Sequence, residues 1–171
     1  MKNMIIAVLG LMAFAPPFTA TAQDGKHQAH KKSTASSRDA AEATPFGQKG
    51  DAKKATRTIH VELSDRMRFT PDSLRVRQGD TVKFVLKNSG KTMHEFVLGT
   101  LADLKDHAEM MKKHPGMEHD EPHMMHVSAG KTRTLAWRFT RAGEFHFGCL
   151  LPGHFEAGMV GKINVTEREK S

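Results

Sequence analysis

A single cysteine, Cys149, occurs in the 171 residues, which leaves no partner for an internal disulfide and no paired-cysteine zinc motif. Long apolar runs are also scarce. The one candidate, Met4 to Phe14, is too short to cross a bilayer, which takes about 20 residues. A phosphate loop and a Ser/His/Asp set are both missing. Little net charge remains once the front of the chain is set aside. The formal charge is +7, Lys2 is the only charged residue among the first 22, and residues 23–57 hold eight Lys/Arg against four Asp/Glu. Residues 58–171 therefore carry only +2, so the high pI makes no case for nucleic-acid binding.

What is present begins with an export signal. Lys2, the apolar run Met4 to Phe14, and Ala20-Thr21-Ala22 form the charged, apolar and small-residue regions of a secretory signal peptide over residues 1–22, with cleavage expected after Ala22. An uncleaved anchor is the alternative, disfavoured because Pro16, Pro17 and Thr19 follow the apolar run at once. Residues 23–57, rich in Lys, Ala, Ser and Gly without apolar period, read as a disordered polar arm in which His27 and His30 are read as solvated, auxiliary metal contacts being the alternative.

The remaining residues, 58–171, are enough for one domain with a single core. Their apolar pattern has period two. Ile59, Val61 and Leu63 alternate with polar residues, as do Val82, Phe84 and Leu86, and Leu135, Trp137 and Phe139. Phe145, Phe147 and Cys149 share one face of another strand, and Val160 to Val165 forms the last. About seven short strands separated by turn signals predict an all-β fold, a Greek-key two-sheet sandwich. Within it, Leu101, Leu104, Ala108 and Met111 recur at helical spacing, with Asp103 early and Lys112 and Lys113 late, so a short helix is expected before Pro115-Gly116.

Cys149 opens the most informative stretch. Cys149-x4-His154-x4-Met159 places a thiolate, an imidazole and a thioether on one loop just after a strand. Two His and one Cys in a trigonal set with a weak axial Met are the ligands of a type 1 copper site, where soft sulfur suits Cu(I) and imidazole suits Cu(II). A lone cysteine in an exported protein is reactive, shared between chains or occupied, and a metal would occupy it. The second His comes from upstream. His94 is favoured because it opens a strand right after the Asn88-Ser89-Gly90 turn. His126 is the main rival, while His60 and His146 point away by alternation.

A second feature lies between His107 and His126, where ten of twenty residues are His or Met. His114, Met117, His119, His123, Met124, Met125 and His126 are the candidates for accessory copper, since thioethers bind Cu(I) without the oxidation liability of thiols. Here the helix and a His/Met-rich loop form one insertion, residues 101–126. A solvated insertion without metal is the alternative.

Three sets of residues then converge on one family. Phe69-x-Pro71-x-x-Leu74-x-Val76-x-x-Gly79-Asp80-x-Val82-x-Phe84-x-Leu86-x-Asn88, the upstream His94, and Gly143-Glu144-Phe145-x-Phe147-x-Cys149-x4-His154-x4-Met159 together resemble a cupredoxin over residues 58–165. The ligand-loop spacing is similar to that of the rusticyanin and auracyanin cupredoxins. The run His114 to Pro122 and the ending Pro152 to Met159 resemble exported bacterial cupredoxins of copper tolerance. The resemblance implies a periplasmic copper-binding protein with one type 1 site, its partners being copper ions and periplasmic redox or copper-trafficking proteins. One departure stands out. Many cupredoxins follow the first His with an Asn that ties the two ligand loops together, whereas here Glu95 follows His94, which puts the hydrogen bonding around the site in question. An electron carrier between redox proteins is the alternative function, against which the His/Met density argues. An enzyme is not expected, because Cys149 is flanked by Gly148 and Leu150 rather than by histidines that would wire it to a second copper. A monomer is the default.

Overall fold

The computed structural model describes residues 44–115 and 121–168. Ten strands occur among them, labelled in chain order: β1 (Gly47–Lys49), β2 (Arg57–Ser64), β3 (Arg68–Thr70), β4 (Ser73–Arg77), β5 (Thr81–Asn88), β6 (His94–Gly99), β7 (Met124–Val127), β8 (Thr132–Phe139), β9 (Gly143–Gly148) and β10 (Val160–Thr166). They form two five-stranded sheets, ordered β1-β8-β5-β2-β3 and β4-β10-β9-β6-β7. Neighbours are antiparallel except β2/β5 and β4/β10, which are parallel. The chain passes to the second sheet between β3 and β4 and returns to the first between β4 and β5, connections that give the sandwich its Greek-key character.

The alternating residues meet between the sheets. Phe69 and Phe84 from the first sheet face Phe96 and Phe147 from the second, with the Phe96 and Phe147 rings stacked at 4.9 Å and Phe84 5.1 Å from Phe96. Trp137, Phe139, Leu63 and Ile163 are also wholly buried. Offset and edge-on aromatic packing of this kind adds about 0.5–1.5 kcal/mol per pair beyond area burial. The result is a stiff platform beneath the loops at the β6 and β9 end.

Two expectations need correction. The domain does not begin at residue 58. Phe46 is only 3% exposed, its ring lies 5.3 Å from Trp137 and 5.5 Å from Phe145, and β1 pairs with β8. Residues 44–57 thus belong to the fold. A three-residue strand preceded by one aromatic anchor is too short to show a period, which is why the segment reads as part of a polar arm. The signal peptide and residues 23–43 of the arm, with His27 and His30, lie outside the described residues.

The second correction concerns the insertion. Helix α1 (Leu101–Lys113) forms where its pattern predicts, started by a capping box between Thr100 and Asp103. It buries Leu104, Ala108 and Met111, whereas Leu101, the first member of the expected stripe, stays 37% exposed at the helix start. The following residues do not remain a loop. Met124 to Val127 become β7, an edge strand antiparallel to β6. Met124 joins Val97, Leu104, Ala108, Met111 and Leu150 under the helix, while Met125 packs on the other side against the main core. The extra short strands, β1, β3 and β7, account for the count exceeding seven. Among the described residues no helix is long and apolar enough to cross a membrane.

Candidate metal centre

Three elements bring the candidate ligands together. His94 opens β6 and is paired with Val127 of β7. Cys149 follows the last residue of β9, and Met159 precedes β10. The loop between them is laced by backbone bonds: Cys149 N donates to Met159 O at 3.1 Å, Met159 N to His154 O at 3.0 Å, and His154 N to Leu151 O at 3.0 Å. The turn closes through Gly158 at φ 89°, a left-handed conformation that a side chain would strain. Because Cys149 and Met159 are joined across the base of the loop, their side chains start from one fixed place. His94, Cys149 and Met159 are wholly buried, while His154 is half-buried.

Among the described residues, His, Cys, Asp and Glu side chains that could hold a metal converge in one group. It is His94, Cys149 and His154, whose ligand atoms lie within 4.8 Å of one another. The Cys149 Sγ is 3.2 Å from His154 Nδ1 and accepts from the Glu95 amide at 3.3 Å. His94 Nε2 is 3.1 Å from Asp65 Oδ1, while its Nδ1 is buried with no hydrogen-bond partner. A buried ring nitrogen without a partner is costly unless something else binds it. One nitrogen aimed inward, a second nitrogen against the thiol, and a thioether closing the loop fit a copper ion well.

Electrostatics agree with that fit. Burial pushes the Cys149 thiol up to about 12, only partly offset by the amides of Glu95 and Leu151 that point at it. Desolvation, with His94 nearby, lowers the His154 imidazole below its ordinary value. Without metal the buried thiol therefore keeps its proton. A bound cation displaces the thiol proton.

The substitution of Glu95 for the usual Asn proves to preserve the tie between loops by another route. Glu95 is 2% exposed; its Oε2 accepts from the Leu150 amide at 3.3 Å and its Oε1 lies 2.9 Å from His126 Nε2. Next to His94 in sequence and bonded to the residue after Cys149, Glu95 links both ligand segments to β7. His126 is thereby accounted for as the partner of Glu95, and it is His94 that lies beside Cys149 and His154. Of the other rivals, His60 is exposed on β2, and half-buried His146 lies 3.7 Å from Glu144 on the far face of β9.

Among the described residues, the accessory candidates do not form one cluster. His114 is exposed at the C-terminal cap of α1. Half-buried His123 faces the rings of Phe46 and Trp137 at 6.1 and 6.0 Å. Met124 and Met125 lie on opposite sides of β7, as neighbours in a strand must, so they cannot grip the same ion. Met124 is 6% exposed, a core residue beneath the helix rather than an exposed accessory ligand. Met117 and His119 lie outside the described residues.

Two further residues shape the site. Asn88 is wholly buried; its Nδ2 donates to Thr92 O and Val127 O, both at 2.8 Å, and its Oδ1 accepts from Gly90 N at 2.8 Å. It thus does more than end a strand, since it fastens the turn leading into His94. Asp65, in the β2–β3 turn, accepts from Lys91 N at 2.7 Å and from Thr92 Oγ1 at 2.8 Å besides facing His94. The sequence marks Asn88 as a turn residue and Asp65 not at all, and the contacts by which both act are made only by folding.

A two-sheet sandwich with His, Cys, His and Met gathered at one end defines a cupredoxin, and comparisons with known proteins agree. Residues 55–166 match the family of copper-binding proteins of the plastocyanin/azurin type, so the chain belongs to that family. It is 48% identical over 165 residues, 96% of this chain and 99% of the other, to a protein of Rubrivivax gelatinosus named copper-resistant cuproprotein CopI. A protein of the same name from Pseudomonas aeruginosa is 37% identical over 149 residues, covering 70% of this chain and 82% of the other. The auracyanin B structure superposes with a TM-score of 0.59 at 21% identity, over 71% of this chain and 96% of that one, a likeness of fold.

Proposed function

We propose that this protein is an exported, periplasmic type 1 copper protein of copper tolerance, binding copper through His94, Cys149, His154 and axial Met159. The observation that carries the reading is the convergence of His94, Cys149 and His154 within 4.8 Å in a chain 48% identical to a copper-resistant cuproprotein. Copper, when bound, supplies one-electron exchange between Cu(I) and Cu(II). The protein supplies the rest. Cys149 would give up its proton and offer a soft donor, while His94 and His154 would each offer a ring nitrogen. The laced loop and the aromatic platform hold these donors in place, so little must rearrange when the charge changes. Leu150, wholly buried, and half-buried Leu151 and Phe155 exclude water around the loop. The half-buried edge of His154 is the path by which an electron would enter or leave.

In this reading the protein is a binding and redox protein rather than an enzyme, and a monomer. The His/Met-rich segment adds capacity for copper beyond the central site. An anaerobic Cu(I) titration against a competing chelator should then exceed one equivalent per chain and fall toward one when His114, Met117 and His119 are replaced. A stoichiometry of one in the unmodified protein removes the accessory sites.

Adding Cu(II) to the purified protein should give intense visible thiolate-to-copper absorption, abolished by Cys149→Ala. Colour that survives this substitution means the ligands are misassigned. In the source bacterium, deletion should leave growth normal in ordinary medium and impair it under added copper. Failure of respiration without added copper would favour an electron carrier instead.

A further inference from the structure

We propose that Asp65 is a positioning residue for the copper centre: its carboxylate fixes the His94 ring with Nδ1 turned to the metal and sets a negative charge that favours Cu(II) over Cu(I). This rests on the reading that His94, Cys149 and His154 hold copper.

The argument begins with donors. Asp65 Oδ2 accepts from Lys91 N at 2.7 Å, and Oδ1 accepts from Thr92 Oγ1 at 2.8 Å and Thr92 N at 3.3 Å. Each of these partners is a donor, so both Asp65 oxygens act as acceptors. An ionised carboxylate only accepts. The 3.1 Å contact to His94 Nε2 therefore requires that Nε2 carry the proton. In a neutral imidazole the proton on Nε2 leaves the lone pair on Nδ1, and Nδ1 is the buried atom without a partner.

The chain makes room for this contact at a cost to itself. A Cβ on Gly90 would lie 2.0 Å from Asp65 Oδ1 and 3.1 Å from Asp65 N, so only glycine lets the two turns approach so closely. Asn88 holds the same turn from beneath through Gly90 N and Thr92 O. The Asp65 side chain is thus locked by donors on one side and His94 on the other, the carboxylate–histidine–metal arrangement that orients a ligand and raises its basicity. A fixed negative charge behind the imidazole stabilises the more positive oxidation state. Asp65 is 37% exposed, so solvent weakens this effect without removing it.

The test measures the oxidation-state balance of copper-loaded protein by spectroelectrochemical titration with a soluble one-electron mediator, following the thiolate-to-copper band. Asp65→Asn keeps the shape and removes the charge. It should leave the band present and move the Cu(II)/Cu(I) ratio toward Cu(I) by about tenfold at fixed potential, equal to about 59 mV for one electron. Thr92→Val removes one donor to Asp65 but leaves the charge, and should move the ratio less than about threefold. An unchanged ratio in Asp65→Asn, or equal shifts in both variants, overturns the proposal. The tautomer gives a readout that needs no variant. Nitrogen-15 spectra of the metal-free protein should show His94 protonated at Nε2, and protonation at Nδ1 overturns the proposal even should Asp65→Asn fail to fold. No visible band in the unmodified protein would instead remove the copper reading itself.

Discussion

Removing the Glu95 carboxylate tests whether it ties the ligand loop to its neighbours. Glu95→Ala leaves the Leu150 amide, on a wholly buried residue, without its acceptor at 3.3 Å, and releases His126 from its 2.9 Å contact. An unsatisfied buried donor costs about 1–3 kcal/mol. The pair with His126, whose side chain is 35% exposed, adds no more than about 1 kcal/mol after solvent screening. The expected loss is therefore about 1–4 kcal/mol. With a urea dependence of about 2 kcal/mol/M, the unfolding midpoint of the metal-free protein falls by about 0.5–2 M. Glu95→Gln keeps an oxygen for the Leu150 amide and an amide group toward His126, so it should cost less than about 1 kcal/mol. A double-mutant cycle of Glu95→Ala with His126→Ala isolates the pair. The reasoning fails if Glu95→Ala and Glu95→Gln unfold at the same urea concentration, because the carboxylate would then hold nothing that a neutral side chain does not.

Two more consequences are open to measurement. Phe46→Ala should destabilise the metal-free domain by about 3–5 kcal/mol, since Phe46 is 3% exposed and packs on Trp137 and Phe145; a loss under 1 kcal/mol by urea unfolding would return residues 44–57 to the polar arm. Because burial raises the Cys149 thiol to about 12, metal uptake must expel one proton wherever the free thiol is protonated. Apparent Cu(II) affinity should rise about tenfold per pH unit from pH 7 to 9, with about one proton released per ion by calorimetry in buffers of different ionisation heat. An affinity that is flat across this range would show the thiol to be already ionised.

The ligand set and the fold were legible in the chain for the same reason: both are written in local order. Period-two alternation depends on which face of a strand is buried, and Cys149, His154 and Met159 sit on one short loop whose spacing is the geometry. Helix α1 likewise follows from Thr100, Asp103 and its apolar stripe. His94 needed one long-range step, from a turn to the strand after it.

Other features depend on distance in sequence and closeness in space. Phe46 fills a gap between Trp137 and Phe145, which lie about ninety residues further along the chain, so nothing near it announces its burial. Met124 and Met125 look alike in a His/Met-rich run, yet joining the sheet edge as β7 sends one beneath the helix and the other to the core. His126 competes with His94 on paper, and pairing of β6 with β7 sets it opposite Glu95 instead. Residue type and spacing thus pointed to copper and placed three candidate donors on one loop. The surroundings of those donors, Asp65 behind His94 and Glu95 beneath Leu150, came from strands packed together in three dimensions, because a hydrogen bond across twenty-nine or fifty-five residues leaves no trace in local order.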